Sequence, residues 1–187
     1  MRIPGRLILA LILVSAVGGC ERKRGEIHGV GPYVLGKTKL GEISGACSPD
    51  RSQTWCTSLS AVKVGEQSAS VDLYFGGHGD NAVLVEVLLA IRACNAESAQ
   101  SALTHELGKP TEVLDDRLVW TGKFAVIVAR LKAEPTVCEV SFVHPLETRT
   151  IEYLRTGKMP PKDGAKDPAT DGAKAPATDG AKAPADH

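Results

Sequence analysis

The chain has 187 residues, 22 Lys plus Arg against 22 Asp plus Glu, with 43% hydrophobic and 24% charged residues. That balance excludes a strongly basic nucleic-acid binder, an acidic-tail protein and a multi-span membrane protein. Aromatic residues are only 4%, thin for a chain that builds a core, and the length suits one domain or at most two. In chain order, the first element is a leader, residues 1–19. Arg2 and Arg6 give it a positive start, and Leu7–Val17 is a mostly apolar run. The run is shorter than the roughly 20 residues of a permanent membrane span and has the length of a secretory h-region. It ends in Val17-Gly18-Gly19-Cys20.

That ending resembles the lipobox of bacterial lipoproteins: an apolar residue, two small residues, then cysteine. The resemblance implies that the Cys20 thiol takes a diacylglyceryl group. A signal peptidase that recognises Val17, Gly18 and Gly19 then cleaves before Cys20, and the freed amino group takes an N-acyl chain. The two glycines suit a peptidase that must approach the backbone closely. Cys20 is therefore expected to be a membrane tether, and this covalent lipid is the only non-protein group expected. One acyl chain anchors marginally and two or three anchor stably, each buried methylene contributing about 0.8 kcal/mol. Glu21 stands where Asp would retain an enterobacterial lipoprotein in the inner membrane, so the resemblance favours the outer membrane. Residues 20–26 are then a lipidated N-terminus and a charged spacer. Arg22, Lys23 and Arg24 either meet anionic headgroups, at about 1 kcal/mol each, or are simply solvated.

The folded domain is expected over residues 27–157, which hold all eight aromatic residues and every cysteine except Cys20. A helix-like stretch covers Thr38–Ala46. Trp55–Val64 reads as a strand. Ala69–Phe75 alternates, with Val71, Leu73 and Phe75 on one face. The turn Gly76–Asn81 leads to a long strand, Ala82–Arg92, with Val83, Val85, Val87, Leu89 and Ile91 on one face. Asn95 then caps a helix with an Ala99, Leu103, Leu107 stripe, stopped by Gly108 and Pro110. Strands follow at Thr111–Trp120, Phe124–Leu131 and Val137–Val143, and a short helix, Leu146–Thr156, closes the domain on Leu146, Tyr153 and Leu154.

The fold class is thus α+β: an antiparallel sheet with two or three short helices on one face, organised as a tandem α-β-β-β repeat. With the strings Val34-Leu35-Gly36-Lys37-Thr38 and Leu107-Gly108-Lys109-Pro110, this pattern resembles the β-lactamase inhibitor protein family and the related small outer-membrane assembly lipoproteins. The few aromatics depart from the aromatic-rich binding faces of protein inhibitors.

Residues 158–187 form a tail. No Val, Ile, Leu, Phe, Tyr or Trp follows Leu154, and an eight-residue unit repeats as DGAKDPAT, DGAKAPAT and DGAKAPAD. Such a composition cannot offset the entropy of ordering, so a disordered, partly polyproline II tail is expected. It reaches toward cell-wall polymer or is an inert extension.

Cys47, Cys56, Cys94 and Cys138 are an even set in a chain expected outside the cytosol, where thiols oxidise. Three pairings are possible. Cys47–Cys56 and Cys94–Cys138 are favoured by position, each adding about 2–4 kcal/mol. A zinc site competes poorly, because no Cys-x-x-Cys pair exists; no metal is expected.

No catalytic motif stands out. His78, with Asp72 and Asp80 close in sequence, is an acid/base candidate, but Gly, Asp and Asn around it belong to a hairpin turn. His105 reads as solvated, His144 as a cap for the last helix, His28 as linker and His187 as terminus. Asp115-Asp116-Arg117 reads as a turn. Ser48, Ser52, Ser58 and Ser60 lack an identifiable base. The expected protein is therefore not an enzyme but a lipid-anchored binding or structural module of the bacterial cell envelope. Its partners are the membrane and an envelope protein or cell-wall component, not nucleic acid. The alternatives are a protein inhibitor or envelope-assembly accessory, and, in another class, a small envelope hydrolase using His78 and nearby carboxylates.

Overall fold

A computed structural model describes residues 26–160 apart from Ser58 and Pro135. The leader, Cys20, most of the spacer and most of the tail therefore lie outside the described residues. Eleven strands are described: β1 (Gly29–Val30), β2 (Tyr33–Val34), β3 (Ala46–Asp50), β4 (Gln53–Thr57), β5 (Val62–Val64), β6 (Gln67–Gly76), β7 (Val83–Arg92), β8 (Glu112–Leu114), β9 (Arg117–Thr121), β10 (Val126–Glu134) and β11 (Val137–Val143). There are two α-helices, α1 (Ala96–Leu107) and α2 (Thr148–Thr156), and a 3-10 turn at Leu40–Glu42. Strands β1 and β2 form a small hairpin. The other nine make one antiparallel sheet in the order β3-β4-β6-β7-β11-β10-β9-β8, with β5 also pairing with β6. The class is α+β, mostly antiparallel sheet.

Period-two patterning explains the main core. In β6, Ala69, Val71, Leu73 and Phe75 are buried, and in β7, Val87, Leu89 and Ile91. Val140 and Phe142 of β11, Ile127 and Ala129 of β10, and Leu118 and Trp120 of β9 continue the same layer. Each such side chain removed from water contributes about 1.5–3 kcal/mol before entropy is counted.

Helix α1 covers this layer with Ala99 and Leu103. Its start is chemically specified. The Ser98 amide donates to Asn95 Oδ1 at 2.9 Å. The Gln67 side chain grips the Asn95 backbone, accepting from its amide at 2.9 Å and donating to its carbonyl at 3.3 Å. Gly108 ends the helix at φ 79°, a conformation that glycine adopts without a Cβ penalty. Gly65 (φ +59°) turns β5 into β6, and a Cβ there would lie 2.9 Å from the Ala102 Cβ. The β1–β2 hairpin and the 3-10 turn complete the cover, with Leu35 buried and Tyr33, Leu40 and Ile43 packed against the layer.

Helix α2 packs on the opposite side of the sheet. Ile151 and Leu154 meet Leu114, Val119, Val126 and Val128, which alternate with the residues beneath α1. The helices are therefore not on one face. Nor is there an α-β-β-β unit at the start, because Thr38–Ala46 supplies only the three-residue 3-10 turn and the first residue of β3. Other expectations are corrected locally. Trp55–Val64 splits into β4 and β5, both lying along β6. Thr111–Trp120 folds as a hairpin, β8–β9, with Asp115 at φ 47° in its turn. A bulge in β7 pairs Tyr74 with Glu86 but Phe75 with Leu84, so the inserted Val85 shifts the alternation. Leu84 enters the core and Val83 is exposed. In the closing helix, Leu146 is 80% exposed and Tyr153 43% exposed, and Ile151 takes the apolar contact instead.

Two disulfides staple the sheet, in the expected pairs. Cys47–Cys56 joins directly opposed residues of β3 and β4. Cys94–Cys138 ties the residue before the α1 cap to β11. Among the described residues no helix is long and apolar enough to cross a membrane.

Candidate functional site

The sheet's second face is covered unevenly, and that creates the candidate site. The apolar contacts of α2 fall on β8, β9 and β10. The outward residues of β3, β4, β6 and β7 lie beyond them. Register sets these side by side. One row runs Ser48, Trp55, Tyr74, Glu86 and Val143 across β3, β4, β6, β7 and β11. The next runs Asp72, Leu88 and Ser141, and the third Ser70, Ala90 and Glu139.

Trp55 is 41% exposed, an unusual position for the largest apolar side chain on a sheet. Its ring stacks near-parallel to Tyr74, with centroids 6.4 Å apart and planes 12° apart. Tyr74, Glu86, Asp72, Leu88 and Ala90 are half-buried. The site is thus an aromatic shelf that leads into a carboxylate cluster.

The electrostatics of that cluster are uncompensated. Burial pushes the Glu86 carboxyl from 4.5 up to about 7; the negative charges of Glu147 and Glu139 push the same way, and a hydrogen bond from Ser141 opposes them. Burial raises Asp72 as well. Tyr74 is pushed to about 12 by burial first, then by Glu86, Asp72 and Glu139. Three neighbouring groups therefore all resist negative charge, chiefly because burial strips them of water, with neighbouring carboxylates adding to the effect at Glu86 and Tyr74. Arg130 of β10 is the nearest guanidinium on this face in register terms, and its Nη1 donates to Glu139 Oε2 at 3.0 Å. Of the other arginines on that side, Arg117 pairs with Asp116 at 3.1 Å and Arg155 with Glu112, while Arg149 of α2 donates to the Pro160 carbonyl at 3.5 Å and Arg92 stands at the far end of β7.

The structure places the sequence candidates as follows. Val17, Gly18, Gly19 and Cys20 lie outside the described residues, as do Ser58 and His187. Cys47, Cys56, Cys94 and Cys138 are bonded. His78 is exposed in the β6–β7 turn, its Nε2 2.8 Å from the Arg51 carbonyl and its Nδ1 3.0 Å from the Thr54 hydroxyl. Both ring nitrogens are occupied locally, and the ring rests against Thr54, the partner of Phe75, whereas Asp72 lies on the opposite face of β6 beside Leu88. His78 and Asp72 are not brought together. His105 is exposed beside Glu106 on α1. His144 does precede α2, and the Leu146 amide points at its Nδ1 from 3.4 Å. His28 is no linker residue, since it stacks on Phe124 at 4.2 Å. Asp115 and Asp116 form the β8–β9 turn. Ser48, Ser52 and Ser60 are exposed. Among the described residues no cluster of three His, Cys, Asp or Glu is arranged to hold a metal ion.

Sequence reasoning passed over Glu86 and Trp55. Signals for both were present: one acidic residue inside the apolar run Val83–Arg92, and a tryptophan at an outward strand position.

No protein-family model matches the chain, and comparison with curated proteins and with solved structures produced no match.

Proposed function

We propose that this chain is a lipid-anchored lipoprotein of the bacterial cell envelope that acts as a non-catalytic binding module. Acyl chains on Cys20 would hold the domain at the membrane, with the outer membrane favoured by Glu21. The observation that carries the binding role is the open half of the second sheet face, where Trp55 and Tyr74 stack beside half-buried carboxylates. Exposed aromatic surface of this kind marks contact sites. Tethering would raise the effective concentration of that surface toward an envelope partner, so that modest affinity suffices. The hydrolase alternative depends on His78, and the occupation of both its ring nitrogens speaks against it.

Two measurements test the reading. Cys20→Ala should move the protein from the membrane to the soluble fraction; if it still pelleted with membranes, the anchor would be wrong. A photo-crosslinking residue at Trp55, compared with one at Glu106 on α1, should trap one defined envelope component in intact cells. Equal labelling from both positions would remove the docking role of the open face.

A further inference from the structure

We propose that the open half of the sheet docks a basic, extended segment of a partner protein, one Lys or Arg stem lying across Trp55 and Tyr74 with its cationic head at Glu86 and Asp72. The inference rests on the docking role just proposed and names the chemistry of the occupant.

Charge complementarity is the first argument. Strands β3, β4 and β6 contain no Lys or Arg. On β7 the one basic residue is Arg92, at the far end from Glu86. Arg51 sits in the β3–β4 turn, and Arg130 is held by Glu139 at 3.0 Å. Opposite Glu86 in register is Tyr74 of β6, with Asp72 one row on, and the groups that act on its carboxyl are Ser141 and Glu139 from β11 and Glu147 from the segment before α2. None of these is cationic. Arg149 of α2 donates to the Pro160 carbonyl at 3.5 Å, and among the described residues no cation is paired with Glu86 or Asp72.

Shape is the second argument. Trp55, Tyr74 and Glu86 occupy successive positions on three neighbouring strands, about 10 Å from end to end at the usual strand spacing. A lysine or arginine stem matches that run: methylenes cover apolar surface, an aromatic face attracts the cation, and the head ends at a carboxylate. Leu88 and Ala90 extend the floor for flanking apolar side chains. The same chemistry favours a protein segment over a neutral sugar polymer, because the carboxylates of Glu86 and Asp72 call for a cation and the stacked Trp55 and Tyr74 rings for its apolar stem.

The test uses the full-length lipidated protein in detergent micelles and a synthetic Lys-Ala alternating peptide. A Glu-Ala peptide, a glucosamine oligomer and phosphatidylethanolamine vesicles are the comparisons. The Lys-Ala peptide should bind saturably and more weakly at high salt. Glu86→Gln should weaken it at least fivefold, Trp55→Ala about threefold or more, and Glu106→Gln not at all. A docked cation favours ionised Glu86, so affinity should rise from pH 6 to pH 8, and Glu86→Gln should abolish that rise. Equal binding of the Lys-Ala and Glu-Ala peptides, or an unchanged Glu86→Gln variant, overturns the inference. Preference for the glucosamine oligomer or the vesicles overturns the assignment to protein. If crosslinking at position 55 traps an envelope component while the Lys-Ala peptide fails to bind, only the cationic inference falls; if crosslinking also fails, the docking role falls with it.

Discussion

Replacing Glu86 by Gln should stabilise the fold at neutral pH, which is the reverse of what removing a half-buried polar group usually does. The cause is the raised affinity of this carboxyl for its proton. In the unfolded chain the group ionises near 4.5, and in the fold only near 7. Between those values the folded state holds a proton that the unfolded state has lost. Stability therefore falls as pH rises through that window and is level above it. The gap corresponds to on the order of 3 kcal/mol, and solvent at the open face screens part of it, leaving about 1–3 kcal/mol. Glutamine keeps the Ser141 hydrogen bond and cannot ionise. Urea titrations from pH 4 to pH 8, with both disulfides intact, should show the two proteins alike at pH 4 and Glu86→Gln ahead by about that amount at pH 8. Asp72 is raised in the same direction and tilts both curves equally, so the difference isolates Glu86. A variant with the wild-type slope, or one less stable at pH 8, would refute the burial argument.

Removing the disulfides should cost unequal amounts. The Cys94–Cys138 bond spans 44 residues and Cys47–Cys56 spans 9, so paired Cys→Ala changes should lower unfolding free energy by about 4 and about 3 kcal/mol; a reversed order in urea would contradict the loop-closure account. Leu103→Ala should cost about 2–5 kcal/mol, because α1 presents only Ala99 and Leu103 fully buried to the core; a loss under about 1 kcal/mol would mean the helix is held mainly by its cap. His78→Ala should lower stability by only about 0.5–1.5 kcal/mol through its two turn hydrogen bonds and leave binding at the open face unchanged. A large change in peptide affinity in that variant would reopen a functional role for the histidine.

What the sequence shows well is what neighbouring residues decide. Helix α1 is specified by Asn95 at its start and Gly108 with Pro110 at its end, and it forms between them. The β6 face follows from strict alternation, and the disulfide pairs from position. Long-range choices were not legible. Which side of the sheet a helix covers depends on where its connection leads, and α1 and α2 take opposite sides. The bulge at Val85 changes which β7 residues face inward, although the composition of the run is unaltered. Strand β3 contains Cys, Ser, Pro and Asp, a poor strand by propensity, and it exists because β4 pairs with it and Cys56 is bonded to it. The candidate site was illegible for the same reason. Trp55, Tyr74 and Glu86 are 19 and 12 residues apart and become neighbours only through register.

The open face also bears on how binding and stability are coupled. A carboxyl that resists ionisation burdens the fold, and among the described residues only the Ser141 hydrogen bond works against that burden. A cation delivered by a ligand would relieve it, so ligand binding and proton release should act together. At ten times its dissociation constant, a ligand specific for the native state adds about 1.4 kcal/mol, which for a domain of this size raises Tm by roughly 4–6 °C. The Lys-Ala peptide at one fixed concentration should therefore raise Tm more at pH 8 than at pH 6, where more of Glu86 stays protonated and affinity is lower. In Glu86→Gln the increment should be smaller and equal at the two pH values. A Tm gain independent of pH in the wild type would show that the cation docks elsewhere, even if the peptide binds tightly.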